Sequence, residues 1–182
     1  MSGTEKWRNF LTNRGIGEES IWKFGLSGDD SRVVIPYVAR NGDQTSERWR
    51  WLNPSEHGDS KYGGPPGMAV GIFNVRDLFR SPLYITEGEF DTIILSQAGR
   101  RAVGVPGGRA FKKAWVWGFC DTDCIVIGDG DKTGRDFAST LSGLLAPVAN
   151  SVRALSTPEG SDINDLFLRG ELDGWMKRYS LS

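Results

Sequence analysis

The chain has 182 residues, 25% of them charged, and a formal net charge of −1, which is length enough for one sizeable core or two small units sharing a seam. Near-neutral charge excludes a general basic field, so any grip on nucleic acid must come from a local patch. Two cysteines (Cys120, Cys124), one histidine (His57) and no long apolar run exclude a structural zinc module, a disulfide framework and a membrane span, so a cytoplasmic protein with no zinc and no membrane partner is expected.

Residues 4–24 read as two short helices, the first capped by Thr4 and ended at Arg14-Gly15. Ile16, Ile21, Trp22 and Phe24 supply an apolar face for the second. Residues 32–37 are β-branched and read as a strand, Asn41-Gly42 as a turn, and 45–52 as the returning strand. In that strand Trp49 and Trp51 alternate with Arg48 and Arg50. Residues 53–67 are rich in Gly and Pro and read as a loop, followed by a short helix over 75–79. After Arg80-Ser81-Pro82 the pattern changes. Strands are expected at 83–86, 101–105, 124–127 and 149–155, and helices at 89–98, 109–117, 133–145, 162–168 and 171–178. Alternating strands and helices imply right-handed crossovers and a parallel sheet. The expected architecture is a small N-terminal α+β lobe over 1–80 and an α/β lobe over 81–182.

In an open parallel sheet, ligands sit outside the carboxyl ends of the strands. Glu87 directly follows the strand 83–86, and Asp129 and Asp131 follow the strand 124–127. All three therefore belong on one edge. Residues two apart project to one side of an extended chain, so the two aspartates aim at one point. Gly88, Gly128, Gly130 and Gly134 keep the backbone narrow there and permit positive φ. Asp162 and Asp165, in GSDINDLF, follow the fourth strand and reach toward the same edge. Carboxylates so gathered repel unless neutralised, and Mg²⁺ or Mn²⁺ is the economical candidate. Two such ions serve phosphoryl transfer by activating an attacking oxygen and stabilising a leaving one.

Taken singly, an acid after a strand is a helix cap or a first-turn residue. That accounts for Asp91 or Asp162 alone, but less well for Glu87 with Asp129 and Asp131. An EF-hand fails, because Thr133 and Thr140 stand at its fifth and twelfth positions and a strand precedes the loop. The D-x-D-x-T pattern of Asp129, Asp131 and Thr133 resembles the haloacid dehalogenases. That motif opens its fold, however; too little chain follows here, and Glu87 would have no role. His57 is given no function, and Cys120 and Cys124 read as buried or incidental thiols.

YITEGEFDTIIL (84–95) followed by VIGDGDKTGRDFA (126–138) resembles the Toprim domain of primases, topoisomerases and related nucleases. The resemblance places the family's glutamate on Glu87 and its aspartates on Asp129 and Asp131. AVGVPGG (102–108) resembles the loop after the second strand, and SDINDLF (161–167) the acidic segment downstream. FLTNRGIGEESIWKFGL (10–26) resembles the opening of the RNA-polymerase core of DnaG-type bacterial and phage primases. SRVVIPYVARNGDQTSERWRWL (31–52) resembles its hairpin, with the first arginine on Arg32. SKYGGPPG (60–67) resembles the later Lys-Tyr motif, with the lysine at Lys61, and GIFNV (71–75) the segment before the Toprim strand.

The resemblance implies a Toprim-like Rossmannoid parallel sheet flanked by helices, beside a smaller N-terminal α+β lobe. It implies a primase core making short RNA primers on single-stranded DNA from ribonucleoside triphosphates. Glu87, Asp129 and Asp131 would be the catalytic, metal-holding carboxylates, with Asp91, Asp162 and Asp165 as further ligands or supports. Arg32, Arg48, Arg50 and Lys61 would form a basic wall for phosphates, facing the acids across a groove. Lys132 and Arg135 would assist beside the metals. Trp49 or Trp51 is a stacking candidate, but one alternating set can simply face a core, and the arginines are preferred. The sequence carries neither a zinc module nor a helicase domain, so a replicative helicase or a separate zinc-binding primase subunit is an expected partner. Two alternatives stay open: a Toprim nuclease with water as nucleophile, and a catalytically retired core that binds nucleotides or nucleic acid.

Overall fold

Apolar spacing and glycine punctuation account for most of the first elements. The computed structural model describes residues 5–105 and 111–181, and the chain divides into two units, Met1–Gly71 and Ile72–Ser182. In the first unit, helix α1 (Lys6–Asn13) buries Trp7 and Leu11, four apart on one face. The expected Thr4 cap lies outside the described residues. Helix α2 (Glu18–Phe24) carries Glu18 and Glu19 in its first turn, where they suit the helix dipole, and stops at Gly25 with φ 63. Ile21 and Phe24 are buried as expected, whereas Trp22 is 78% exposed. It lies next to Ile21 in sequence and so about 100° away around the helix.

Strands β1 (Ser27–Gly28), β2 (Arg32–Val38), β3 (Gln44–Trp51) and β4 (Tyr62–Gly63) form an antiparallel sheet in that order. Gly42, at φ 101, allows the turn between β2 and β3. β1 and β4 hold two residues each, too few to show a period in the sequence. The expected loop 53–67 thus contains an edge strand, and also a 3₁₀ turn, Pro54–His57.

The second unit begins nine residues before the expected boundary at Arg80-Ser81, because 72–78 belongs with the second sheet. Phe73 and Gly104 exchange backbone hydrogen bonds of 2.8 and 3.2 Å. The Asn74 amide donates to the Ala102 carbonyl, and Ile72 and Leu78 enter the core. In place of a helix over 75–79 there is one 3₁₀ turn, Val75–Asp77.

Strands β5 (Leu83–Thr86), β6 (Ala102–Gly104), β7 (Asp123–Gly128) and β8 (Ser151–Ser156) run parallel in the order β6-β5-β7-β8. Helices α3 (Glu89–Gln97), α4 (Lys132–Leu145), α5 (Ile163–Leu168) and α6 (Leu172–Arg178) connect and close it. Leu83, Ile85, Val103, Cys124 and Val126 face Phe137, Ala138, Leu141 and Leu145 of α4. Each buried Leu, Ile, Val or Phe among them contributes about 1.5–3 kcal/mol. On the other face, α3 meets β5 through Thr92, whose hydroxyl lies 2.7 Å from that of Thr86. There too the Tyr84 hydroxyl donates to the Leu181 carbonyl. With both faces covered, β5 is buried at every position, which explains its unbroken apolar reading. Of the helix expected at 109–117, residues 109–110 lie outside the described residues. The chain instead forms a 3₁₀ segment at Lys113–Phe119, rich in aromatic residues that are weak helix formers, and it delivers Phe119 fully into the core.

Candidate active site

The parallel register sets Thr86 beside Ile127, so Glu87 and the chain after β7 emerge on one carboxyl edge. The loops beyond β7 and β8 are then laced together. Thr157 N–H donates to Gly128 O, Gly130 N–H to Ser161 O, and Gly160 N–H to Gly130 O. This lacing requires glycine for space rather than for left-handed backbone. A Cβ on Gly130 would overlap the Pro158 carbonyl, and one on Gly128 the Gly134 carbonyl. The expectation of positive φ is corrected here: Gly88, Gly128, Gly130 and Gly134 are not among the positive-φ glycines, and Gly88 is extended at φ −118.

The result is a cavity of ≈ 200 Å³ lined by Asp129, Gly130, Asp131, Gly160, Ser161, Asp162 and Asp165. Asp131 caps α4, its Oδ1 accepting the Gly134 N–H at 2.7 Å. Asp162 caps α5 in a reciprocal box with Asp165: its Oδ1 accepts the Asp165 N–H at 2.7 Å, and Asp165 Oδ2 accepts the Asp162 N–H at 3.3 Å. Each cap uses one carboxylate oxygen.

Burial, then Asp162, Glu87, Asp131 and Asp165 in that order, push the Asp129 carboxyl up to about 6. Glu87 is raised as well, by burial first and by Asp131 second. Among the described residues no Lys or Arg forms an ion pair with any of these acids. Lys132 reaches away to Asp136 at 2.8 Å, and Arg135 Nη1 donates to the Gly130 carbonyl at 3.4 Å. Asp91 is not among the groups acting on Asp129; its Oδ1 accepts the Asn164 N–H at 3.1 Å and ties α3 to α5.

Hard oxygen donors, mutual repulsion and the absence of a pairing cation among the described residues fit a divalent ion such as Mg²⁺ or Mn²⁺. Among the described residues no three Asp, Glu, His or Cys side chains are already gathered as a metal cage. The acids share an electrostatic field without fixed coordination geometry. Two threonines unremarked in the sequence support Glu87. The hydroxyls of Thr86 and Thr92 lie 3.0 and 2.8 Å from the Gly88 carbonyl, so one donates to it while the other donates to its neighbour. A threonine at a strand end is too common to have signalled this.

In the N-terminal unit, the β2–β3 register pairs Val33 with Arg50 and Ile35 with Arg48, and pairs Arg32 with Trp51 and Val34 with Trp49. Opposed residues share a face. Arg48 and Arg50 therefore lie on the face of the fully buried Val33 and Ile35, whereas Arg32 lies with the tryptophans on the other. The expected basic wall is thus split. Arg50 Nη1 donates to the Trp51 and Lys61 carbonyls at 2.7 and 3.2 Å, and burial lowers its pKa. Arg48 covers Tyr62 at 4.1 Å. Lys61 is exposed. Across the sheet, Arg32 covers Trp49 at 4.0 Å, and His57 stacks on Trp51 at 3.7 Å with 14° between the planes. His57, which the sequence left without a role, thus joins an aromatic and basic face.

Residues 84–167 match the Toprim-like family. Gene 57 protein of Mycobacterium phage D29 is 30% identical over 155 residues, covering 80% of this chain and 96% of that protein. The chain belongs to the Toprim family. Its fold is that of a DnaG-type primase core. The DnaG catalytic core superimposes with a TM-score of 0.76 at 21% identity, covering 95% of this chain and 71% of that one. The primase fragment of the bacteriophage T7 primase-helicase protein gives 0.71 at 24% identity, covering 92% and 72%. A DnaG primase catalytic domain bound to single-stranded DNA gives 0.74 at 20%, covering 95% and 72%. Within this Toprim unit Cys124 is buried, and burial with Asp123 pushes its thiol up to about 12, which keeps it protonated and inert. Among the described residues no helix is long and apolar enough to cross a membrane.

Proposed function

We propose that this Toprim protein is a minimal primase core. It joins ribonucleoside triphosphates into short RNA primers on single-stranded DNA with the help of Mg²⁺ or Mn²⁺. One observation carries the reading: Asp129, half-buried, is raised to about 6 by burial first and then by four neighbouring carboxylates, none of which pairs with a lysine or arginine among the described residues. Such a pocket repels a triphosphate unless a divalent cation intervenes. Glu87, Asp129 and Asp131 would hold the cation, with Asp162 and Asp165 adding charge. Bound there, it would reverse the local charge and polarise the reacting phosphoryl group. The 3′ oxygen of the growing primer attacks the α-phosphorus, and pyrophosphate leaves. Arg135, at the Gly130 carbonyl, stands at the rim to meet phosphate oxygens, and Lys132 would join it on release from Asp136. Asp91 serves this site as a tether between helices. Arg32 and Lys61 contribute template phosphate contacts, Arg48 packs on Tyr62 and Arg50 holds the edge strand on the opposite face, and Trp49 or Trp51 stacks a base.

The N-terminal unit favours priming over hydrolysis, because the similarity to primase cores spans 95% of this chain, well beyond the Toprim-like segment. A replicative helicase or a zinc-binding primase subunit acting in trans would supply start-site choice and processivity. The test is incubation with single-stranded DNA, ribonucleotides and Mg²⁺ or Mn²⁺. Template-dependent oligoribonucleotides, lost in Asp129→Asn and Asp131→Asn, are expected. Cut template without primers would assign the site to hydrolysis. Inertness toward both, with nucleic-acid binding intact, would mark a retired core.

A further inference from the structure

The rim of the Toprim sheet opposite the carboxylates carries a second charged site. Pro82, Tyr84, Gly99, Arg100 and Arg101 line a cavity of ≈ 210 Å³. Pro82 precedes β5, and Gly99, Arg100 and Arg101 join α3 to β6. The cavity therefore opens at the amino ends of the strands, while the acids follow the carboxyl ends. β5 has four residues between them, so the two sites stand about 13 Å apart or more.

Among the described residues no acid lines this cavity. Among the described residues neither Arg100 nor Arg101 forms an ion pair, and neither does Arg153, which shares a register row with Tyr84 through Ile125. Arg101 Nη1 donates to the Ser81 carbonyl and Arg153 Nη2 to the Tyr179 carbonyl, each at 2.7 Å. These bonds anchor two guanidinium groups and leave most of their N–H donors unspent. The Nε of Arg100 is buried with no hydrogen-bond partner. A buried donor calls for an acceptor. Burial pushes the Tyr84 hydroxyl up, and the charges of Arg100 and Arg153 oppose it.

Arginine keeps its charge under all ordinary conditions and presents a rigid fork of donors matched to phosphate oxygens. The cavity is below the roughly 300–1,000 Å³ of pockets that enclose a whole small ligand, so it suits one phosphate group better than a complete nucleotide. We propose that Arg100 and Arg101, flanked by Arg153, form a phosphate-binding site at the amino-terminal rim of the Toprim sheet. Its occupant is a phosphate group, supplied by the backbone of a nucleic-acid strand or by a free polyphosphate such as pyrophosphate. The site stands whether or not the acidic edge catalyses priming, so failure of one leaves the other measurable.

The test compares the full chain with its Arg100→Gln/Arg101→Gln double variant. Binding of an oligothymidylate is followed by fluorescence anisotropy across a salt series, and binding of inorganic pyrophosphate by calorimetry. A strand-backbone occupant predicts a several-fold loss of oligonucleotide affinity and a log–log salt dependence shallower by about 1.4, from about 0.7 per lost contact on a single strand. A free-polyphosphate occupant predicts loss of the pyrophosphate heat with the oligonucleotide curve unchanged. Both curves unchanged in the folded variant would overturn the site. Should the double variant fold poorly, phenylglyoxal labelling of the unaltered chain decides the matter. Protection of Arg100 and Arg101 by either probe is the expected result, and equal labelling with and without both probes overturns it.

Discussion

Asp129→Asn removes the charge on which the acidic site converges. The carboxyl moves from its ordinary value of 3.8 to about 6 in the fold. At about 1.36 kcal/mol per pH unit this sets a ceiling of about 3 kcal/mol, which solvent access to the half-buried group reduces to about 1–2 kcal/mol. The sign follows from proton binding. Between these two values the folded chain holds the proton and the unfolded chain releases it. The group's favourable contribution is therefore complete below the unfolded value of 3.8, is lost as pH rises through about 6, and stays lost above. Asparagine carries no such penalty. In chelator at pH 8 the variant should be more stable than the parent by about 1–2 kcal/mol, or about 2–8 °C in Tm for a chain of this size. The gain should shrink as pH falls toward 4, where the parent carboxyl is protonated in the fold. Magnesium should raise the Tm of the parent and leave that of the variant unmoved. Calorimetry at pH 8 and pH 4, with chelator and with magnesium, measures all three. A variant less stable than the parent at pH 8, or a gain equal at both pH values, would refute the crowded-carboxylate account.

Asp131 separates capping from charge. Asp131→Ala removes the acceptor for the Gly134 N–H and should cost about 1 kcal/mol in urea denaturation, whereas Asp131→Asn keeps the cap, keeps the stability and still abolishes priming. Gly130→Ala forces a methyl group into the Pro158 carbonyl and should cost about 1–3 kcal/mol together with activity. Gly143→Ala, on α4 with nothing within 4 Å, should gain about 0.4–1 kcal/mol. Arg32→Gln should make the salt dependence of single-strand binding shallower by about 0.7. Trp51→Ala should cost about 1–3 kcal/mol of affinity and leave that slope unchanged.

The strand ends were legible because buried parallel strands write themselves as short apolar runs. LYIT and CIVI locate β5 and β7, and the acids that follow then fall on one edge without further information. What the sequence withheld depends on partners distant in the chain. Alternation in RWRW shows two faces of β3, but only the pairing with Val33 and Ile35 tells which face is the core's, and there the arginines are found. Glycines in VIGDGDKTG announce a special backbone, yet that Gly130 serves clearance is decided by Pro158, far along the chain. Asp91 and Asp165 look alike as helix-start acids. Folding ties the first to Asn164 and brings the second within reach of Asp129. Arg100 and Arg101 formed no motif, because their cavity is assembled from two separate strand entrances.

Anomalous diffraction from crystals soaked in Mn²⁺ tests the central claim most directly. The account predicts a manganese peak bounded by Glu87, Asp129 and Asp131, absent from Asp129→Asn crystals soaked alike. Manganese found elsewhere on the chain, or bound at this edge equally well in the variant, would contradict it.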